Sequence, residues 1–248
     1  MRARAFSVLF WLFIVVSSLL LFPVALLIWA ATTPFDRRLV LLHRFTCFWA
    51  SLYTWLNPAW RVQLEGLEKI RPGVAYIMVA NHQSLLDILV LFRLFVHFKW
   101  VSKVENFRVP AIGWNMSLNR YIKLRRGDRE SVERMMDACE RTIGEGNSIM
   151  MFPEGTRSVD GHLRPFKHGA FTLAQRTCAP LLPIVLQGTS NALPKRGFVL
   201  RGRHQIRVRV LDEIPHPTFA QLSVEALTDQ VRDRIAAELD RLAARQVA

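Results

Sequence analysis

Residues 74–87 read Val74-Ala75-Tyr76-Ile77-Met78-Val79-Ala80-Asn81-His82-Gln83-Ser84-Leu85-Leu86-Asp87. The first seven are a short β-rich run and predict a strand over 74–80. Ser84-x-x-Asp87 is a capping box and predicts a helix over 84–96. A strand that runs straight into a helix is the unit of an α/β domain, and ligands gather at such junctions on the sheet's carboxyl edge. Two readings of the junction stand together. Ser84 and Asp87 can be a plain helix cap beside a loop histidine, or His82 and Asp87 can be a catalytic pair. Five residues of regular helix rotate through about 500°, which would turn these two side chains apart. They meet only if His82 lies before the first turn, which is the placement the serine cap predicts.

Outward from this junction, the alternation of strand and helix continues. Further strands are expected at 97–102, 121–124, 148–152, 181–186 and 206–211, with helices near 130–143 and 167–177. In the first of these helices Val132, Met135, Met136, Cys139 and Ile143 share one face, a stripe expected to be core. Thr218-Phe-Ala-Gln is a second capping box, and Val224, Leu227, Val231, Ile235, Leu239 and Leu242 extend the apolar stripe of a last helix. The division that follows is 1–60, an α/β domain over 61–217, and a C-terminal amphipathic helix over 218–248 packed on it.

Segment 1–60 differs in composition from the rest. Its charged side chains are Arg2, Arg4, Asp36, Arg37, Arg38 and Arg44, whereas 21% of the whole chain is charged. Beyond it, charge rises to about the 25% usual for a globular domain. From Ala5 to Phe35 no residue is charged. As a helix this run would measure about 46 Å, more than the roughly 20 residues a bilayer core requires, with Pro23 as a kink point. A cleaved signal sequence would have a hydrophobic stretch of only about 7–15 residues. Residues 39–60 form a second apolar and aromatic stretch, and five of seven tryptophans lie in 1–60. Tryptophan prefers the membrane interface, so two membrane-associated helices are expected.

The chain carries 33 basic and 20 acidic residues, a net +13. Such an excess favours anionic partners without choosing among nucleic acid, acidic lipid and phosphorylated substrates. Cys47, Cys139 and Cys178 are scattered, with no CxxC pair. The histidines at 43, 97, 162, 204 and 216 show no metal-ligand spacing, so no metal is expected.

A second stretch, Phe152-Pro153-Glu154-Gly155-Thr156-Arg157-Ser158, follows the strand at 148–152 directly. Alone it is either a solvated turn or a phosphate grip built on the planar fork of Arg157. Taken together, the two stretches resemble the glycerolipid acyltransferases, most closely the 1-acylglycerol-3-phosphate (lysophosphatidic acid) acyltransferases. Asn81, His82 and Asp87 match that family's NHxxxxD block. Tyr121-Ile122-Lys123-Leu124-Arg125-Arg126 matches an arginine after an apolar run, residues 152–158 match FPEGTRS, and Pro183 matches a proline within an apolar strand. The resemblance spans roughly 60–215. It departs at Arg120, where the family usually has a small residue, and at His168, where a lysine is commoner.

The resemblance implies one mixed-sheet α/β acyltransferase domain preceded by a membrane-anchoring helix pair. It also implies acyl transfer from acyl-CoA or acyl-carrier protein to the free hydroxyl of 1-acylglycerol-3-phosphate, giving phosphatidic acid. No cofactor beyond that co-substrate is implied. His82 would be the general base and Asp87 its orienter. Arg157 and Arg126, with Lys103, would hold the acceptor phosphate, in a site that includes Glu154, Gly155 and Thr156. Glu154 would orient Arg157 or meet the glycerol unit. Oxyanion donors are expected among backbone N–H groups near Gly155 or at the helix start. Expected partners are the bilayer, a lysophospholipid and the acyl donor, and no nucleic acid. The expected location is a bacterial inner membrane, with the site on its cytoplasmic side.

Three rivals remain open. The same chemistry could serve another lysolipid, such as a lyso-phospholipid or lyso-ornithine lipid. A non-catalytic basic membrane- or nucleic-acid-binding protein would account for the charge, although no helix-turn-helix or RNA-binding signature is present. A serine lipid hydrolase lacks its GxSxG motif. The basic tract 195–209 could dock phosphates, an acidic carrier or the bilayer, or simply be solvated.

Overall fold

The computed structural model describes residues 2–158, 162–194, 198–200 and 202–247. In chain order the elements are α1 (Arg2–Thr32), α2 (Val40–Trp55), β1 (Trp60–Glu65), β2 (Ile77–Ala80), α3 (Leu86–Phe92), β3 (Phe98–Lys103) and α4 (Ile112–Leu118). They continue with β4 (Ile122–Leu124), α5 (Arg129–Gly144), β5 (Ser148–Met151), α6 (Gly169–Thr177), β6 (Leu181–Gln187), α7 (Thr189–Ala192), β7 (His204–Val210) and α8 (Val224–Val247). The seven strands form one sheet in the order β1-β7-β6-β2-β5-β3-β4. All pairings are parallel except β6 with β7, so the sheet is mixed, as expected.

Period-two alternation sorts the strand side chains into two cores. Met78, Ala80, Met150, Leu182 and Ile184 join the core made with α1, α2 and α3. Ile77, Val79, Ile149, Leu181 and Val185 join the core made with α5, α6 and α8. Because the central strands are buried on both faces, they are short and almost wholly apolar.

Several expectations need correction. The strand expected at 74–80 is paired only from Ile77, and the helix expected over 84–96 is a short one, Leu86–Phe92. Strand β1 and helix α4 have no counterpart in the sequence reading. Val132 is 40% exposed, and Ser131 takes the inward position beside the core stripe of α5. The last helix begins at Val224, not near Thr218. Thr218 donates its hydroxyl to Pro215 O, whereas Ser223 Oγ accepts the Ala226 N–H at 3.1 Å. Helix α1 contains Pro23, the residue expected as its kink point.

Helices α1 and α2 pack together and rest on the sheet. Tyr53 Oη meets Ser17 and Ser18 hydroxyls, each at 3.0 Å, within this pair. Near its start, α1 reaches the body through Ser7 Oγ, which accepts the Leu200 N–H, and Trp11 Nε1–H, which donates to Phe198 O. Farther along, Phe22 meets Trp114 of α4, with ring centroids 5.3 Å apart. At the α1–α2 corner, buried Lys99 of β3 donates to Arg38 O at 2.8 Å and to Asn119 O at 3.0 Å. Residues Ala3–Thr32 form one helix long and apolar enough to cross a membrane by length and composition.

The cap of α8 can be tested directly. Ser223→Ala should cost about 1 kcal/mol, the usual worth of an N-cap, and Thr218→Ala no more than about 0.5 kcal/mol. Chemical denaturation of both variants checks this, and the reverse ranking would move the cap back to Thr218.

Candidate active site

Strand β2 ends at Ala80, and the next two residues are held by side-chain bonds to neighbouring segments. Asn81 Nδ2 donates to Leu186 O at 2.9 Å, and Asn81 Oδ1 accepts the Leu186 N–H at 2.8 Å. The amide therefore prolongs the β2–β6 ladder by one side chain. His82 follows outside regular secondary structure, ahead of α3. Its Nδ1 lies 2.8 Å from Asp87 Oδ2. The same oxygen accepts the N–H groups of Gln83 at 2.6 Å and Ser84 at 2.8 Å. Asp87 is thus helix cap and histidine partner at once, and the two readings of the sequence merge. With Nδ1 committed to the carboxylate, Nε2 is the ring nitrogen that Asp87 leaves unengaged.

The loop after β5 closes over this turn. Phe152 stacks on the His82 ring at a centroid distance of 3.9 Å and 9° between planes, and Trp100 backs Phe152 at 5.4 Å. Glu154 is 4% exposed. Its Oε1 accepts the His82 N–H at 2.6 Å and its Oε2 the Arg164 N–H at 3.1 Å. The Ser158 N–H donates to His82 O at 2.8 Å. Glu154 is therefore a brace between the two motif loops, a role that the sequence reading, which had it orienting Arg157 or meeting the glycerol unit, did not include. Neither this brace nor the Phe152 stack was legible beforehand. Both join residues far apart in the chain, and each of those residues also suits an ordinary turn.

Gly155 has φ 68°, and a Cβ there would come within 3.0 Å of the Lys167 side chain. The turn needs glycine for its backbone, and Lys167 lies against it. The Gly155 N–H already donates to Phe152 O, and the Gln83 and Ser84 N–H groups serve Asp87. Those backbone groups are thus committed in the absence of substrate. Thr156 and Arg157 follow on the same turn, both half-buried.

Lys103 ends β3, 3.3 Å from Glu105, and Arg126 is exposed just past β4. Both share the carboxyl rim with His82, two and three strands away from β2. The structure therefore joins His82, Asp87, Glu154 and Gly155 closely and sets Lys103 and Arg126 farther along the rim. His168 Nδ1 lies 3.2 Å from Thr228 Oγ1 of α8. The departure from the family pattern at this position is accordingly tied to packing of the last helix. Of the basic tract, 195–197 and 201 lie outside the described residues, while Arg209 pairs with Glu238 and Glu65.

Burial pushes the Glu154 carboxyl up to about 7, although the two backbone N–H groups and Arg164 pull the other way. A carboxyl that ionises less readily folded than unfolded contributes most stability below its unfolded value. That contribution is lost as pH rises through the folded value. Thermal unfolding should therefore show a fall in stability from pH 4.5 to about 7 that Glu154→Gln flattens. An unchanged slope in the variant would assign the effect elsewhere.

A family model described as Acyltransferase matches residues 61–187. The chain is 36% identical over 208 residues to the chloroplastic 1-acyl-sn-glycerol-3-phosphate acyltransferase BAT2 of Brassica napus, covering 83% of this chain and 58% of that protein. It is 33% identical over 240 residues to a 1-acyl-sn-glycerol-3-phosphate acyltransferase of Chlamydomonas reinhardtii, covering 96% and 70%. The chain thus spans a little under three fifths of the Brassica protein's length. In three dimensions it is similar to the crystal structure of a 1-acyl-sn-glycerophosphate acyltransferase, PlsC, from Thermotoga maritima. The TM-score is 0.80 at 22% identity, covering 98% of this chain and 97% of that one, a likeness of fold. The matched segment contains every residue of the His82–Asp87 and 152–158 loops, and on this evidence the chain belongs to the acyltransferase family.

Proposed function

We propose that this protein is an O-acyltransferase that moves a fatty acyl group from a thioester to the free hydroxyl of 1-acylglycerol-3-phosphate, giving phosphatidic acid. The observation that carries the reading is the His82 Nδ1 to Asp87 Oδ2 contact of 2.8 Å at the carboxyl rim of the sheet. An alcohol is a weak nucleophile at neutral pH, and a positioned base contributes about 10²–10⁴-fold. His82 Nε2 takes the hydroxyl proton as the oxygen attacks the thioester carbonyl carbon. Asp87 holds the imidazole in the tautomer with Nδ1–H and stabilises the imidazolium. The tetrahedral intermediate then collapses, the C–S bond breaks, and the leaving thiolate takes the proton back from Nε2. No enzyme-bound acyl group is required.

In this reading Arg157 anchors the acceptor phosphate near the base, with Arg126 and Lys103 along the rim. Thr156 and Lys167 offer side-chain donors close to the turn, where backbone donors are already engaged. The thioester comes from acyl-CoA or acyl-carrier protein. A bilayer covers the outward side chains of the helix pair, among them Leu9, Leu12, Leu20, Leu27 and Trp55, which are 46–69% exposed. Isolated apolar residues on a surface are ordinary, but a helix face this continuous calls for a covering. The membrane proposed is a bacterial inner membrane, with the site on its cytoplasmic side.

Purified protein given labelled acyl-CoA should acylate 1-acylglycerol-3-phosphate in preference to lysophospholipids with larger heads and to lyso-ornithine lipid. His82→Ala should lower turnover by about 10²–10⁴-fold while leaving the unfolding transition in place. A folded His82→Ala protein at near wild-type turnover would overturn the mechanism. Preference for a phosphate-free acceptor would overturn the assignment of Arg157.

A further inference from the structure

Edge strand β4 and helix α5 border an open groove of about 740 Å³, outside the two motif loops. Small-molecule sites commonly measure about 300–1,000 Å³. Lys99, Arg120, Lys123, Arg125, Arg134 and Arg141 line it, together with arginines of the α1–α2 corner, and Glu145 is the one carboxylate among the lining residues. Arg134 is paired with Glu130, and Lys123 lies over the Phe107 ring. Among the described residues Arg120, Arg125 and Arg141 have no ion-pair partner. The groove runs from Lys99, at the start of β3, to Val104 and Arg125 on the catalytic rim. At about 3.3 Å per residue that is about 17 Å.

Two features set it apart from an ordinary charged surface. Lys99 is 4% exposed, and two of its three ammonium protons go to Arg38 O and Asn119 O, leaving the third for the groove. Burial, then the charge of Arg120, hold its amine down at about 7, and an anion in the groove would offset the repulsion from Arg120. Arg120 itself has φ 54°, a left-handed conformation that every residue with a Cβ resists. Glycine would suit this turn better, yet the chain places an arginine there and directs it into the groove. Strain of this kind points to a use for the side chain.

We propose that this groove holds the phosphorylated nucleotide end of a coenzyme A donor, with its pantetheine arm running past Val104 and Arg125 to the His82 rim. The proposal rests on the acyl-transfer reading above and names its donor. Three strand steps separate β4 from β2, about 14 Å at about 4.8 Å each, a span for an extended arm rather than for the phosphates themselves. Cations spread along the groove match a ligand with phosphates at two separated positions. A phospholipid headgroup brings a single phosphate, which would engage only part of this row of cations. A carrier protein presents a convex surface, which a narrow groove fits poorly.

The test uses full-length protein in neutral detergent and titrates CoA by calorimetry, with adenosine 3′,5′-bisphosphate as a second probe. Arg120→Gly and Arg141→Ala should each weaken both probes by about tenfold, the worth of one charge-assisted contact. Arg120→Gly relieves a strained backbone, so its lost affinity cannot be put down to misfolding. In turnover, KM for acyl-CoA should rise by a similar factor, with kcat and KM for the lysophosphatidic acceptor within about twofold of wild type. Unchanged CoA affinity in both variants overturns the proposal. So does weaker attachment to vesicles rich in anionic lipid with CoA affinity intact. Variant-sensitive CoA binding in a protein that acylates no acceptor would uphold the groove and remove the acyl-transfer reading instead.

Discussion

One carboxylate oxygen organises the centre of this molecule. Asp87 is wholly buried, and an isolated buried carboxylate is too costly to keep. Its Oδ2 is compensated by three donors, the Gln83 and Ser84 N–H groups and the His82 ring. The same three bonds end the chain's exit from β2, start α3 and orient the imidazole. The local fold and the orientation of the imidazole therefore share one set of contacts. A residue that removed the charge would loosen the turn as well as the imidazole, and a residue that altered the turn would move the ring.

Around that point the remaining site parts are fixed by contacts that cross the sheet. Asn81 ties the turn to β6, Glu154 ties it to the loop after β5, and Phe152 presses the imidazole from one side. The ring is therefore held by a hydrogen bond at one edge and by a stack on one face, which leaves Nε2 the direction of approach. Such preorganisation is what a base needs if it is to act without first reorganising its surroundings. The helix pair lies against the same body, sharing a core with β2 and β6.

Local patterns made the central sheet legible in the sequence. Strands β2, β5 and β6 are short apolar runs followed by Gly, Pro or polar breaks, and α5 carries its Met135, Cys139 and Ile143 stripe at helical spacing. Strand β1 was hidden because it is an edge strand carrying Arg61 and Glu65 and directly follows an aromatic apolar stretch. Helix α4 was hidden by its brevity, too short for a period to show. At the site, the His82–Asp87 geometry was legible because a capping box fixes where a helix starts. The Glu154 brace and the groove beside β4 were not, since each depends on which strands become neighbours, and no local period encodes that. The capping box at Thr218 misled for a related reason. The motif is local, and the chain had a better cap farther on at Ser223.

The most direct test of the account is a double-mutant cycle on turnover with His82→Ala, Asp87→Asn and the pair, all confirmed to fold. If Asp87 acts through the imidazole, the double variant should be no slower than His82→Ala alone, because the second change removes a group whose work has already gone. Fully additive losses would mean that the two residues act separately, and would contradict the claim that a carboxylate-held histidine is the base.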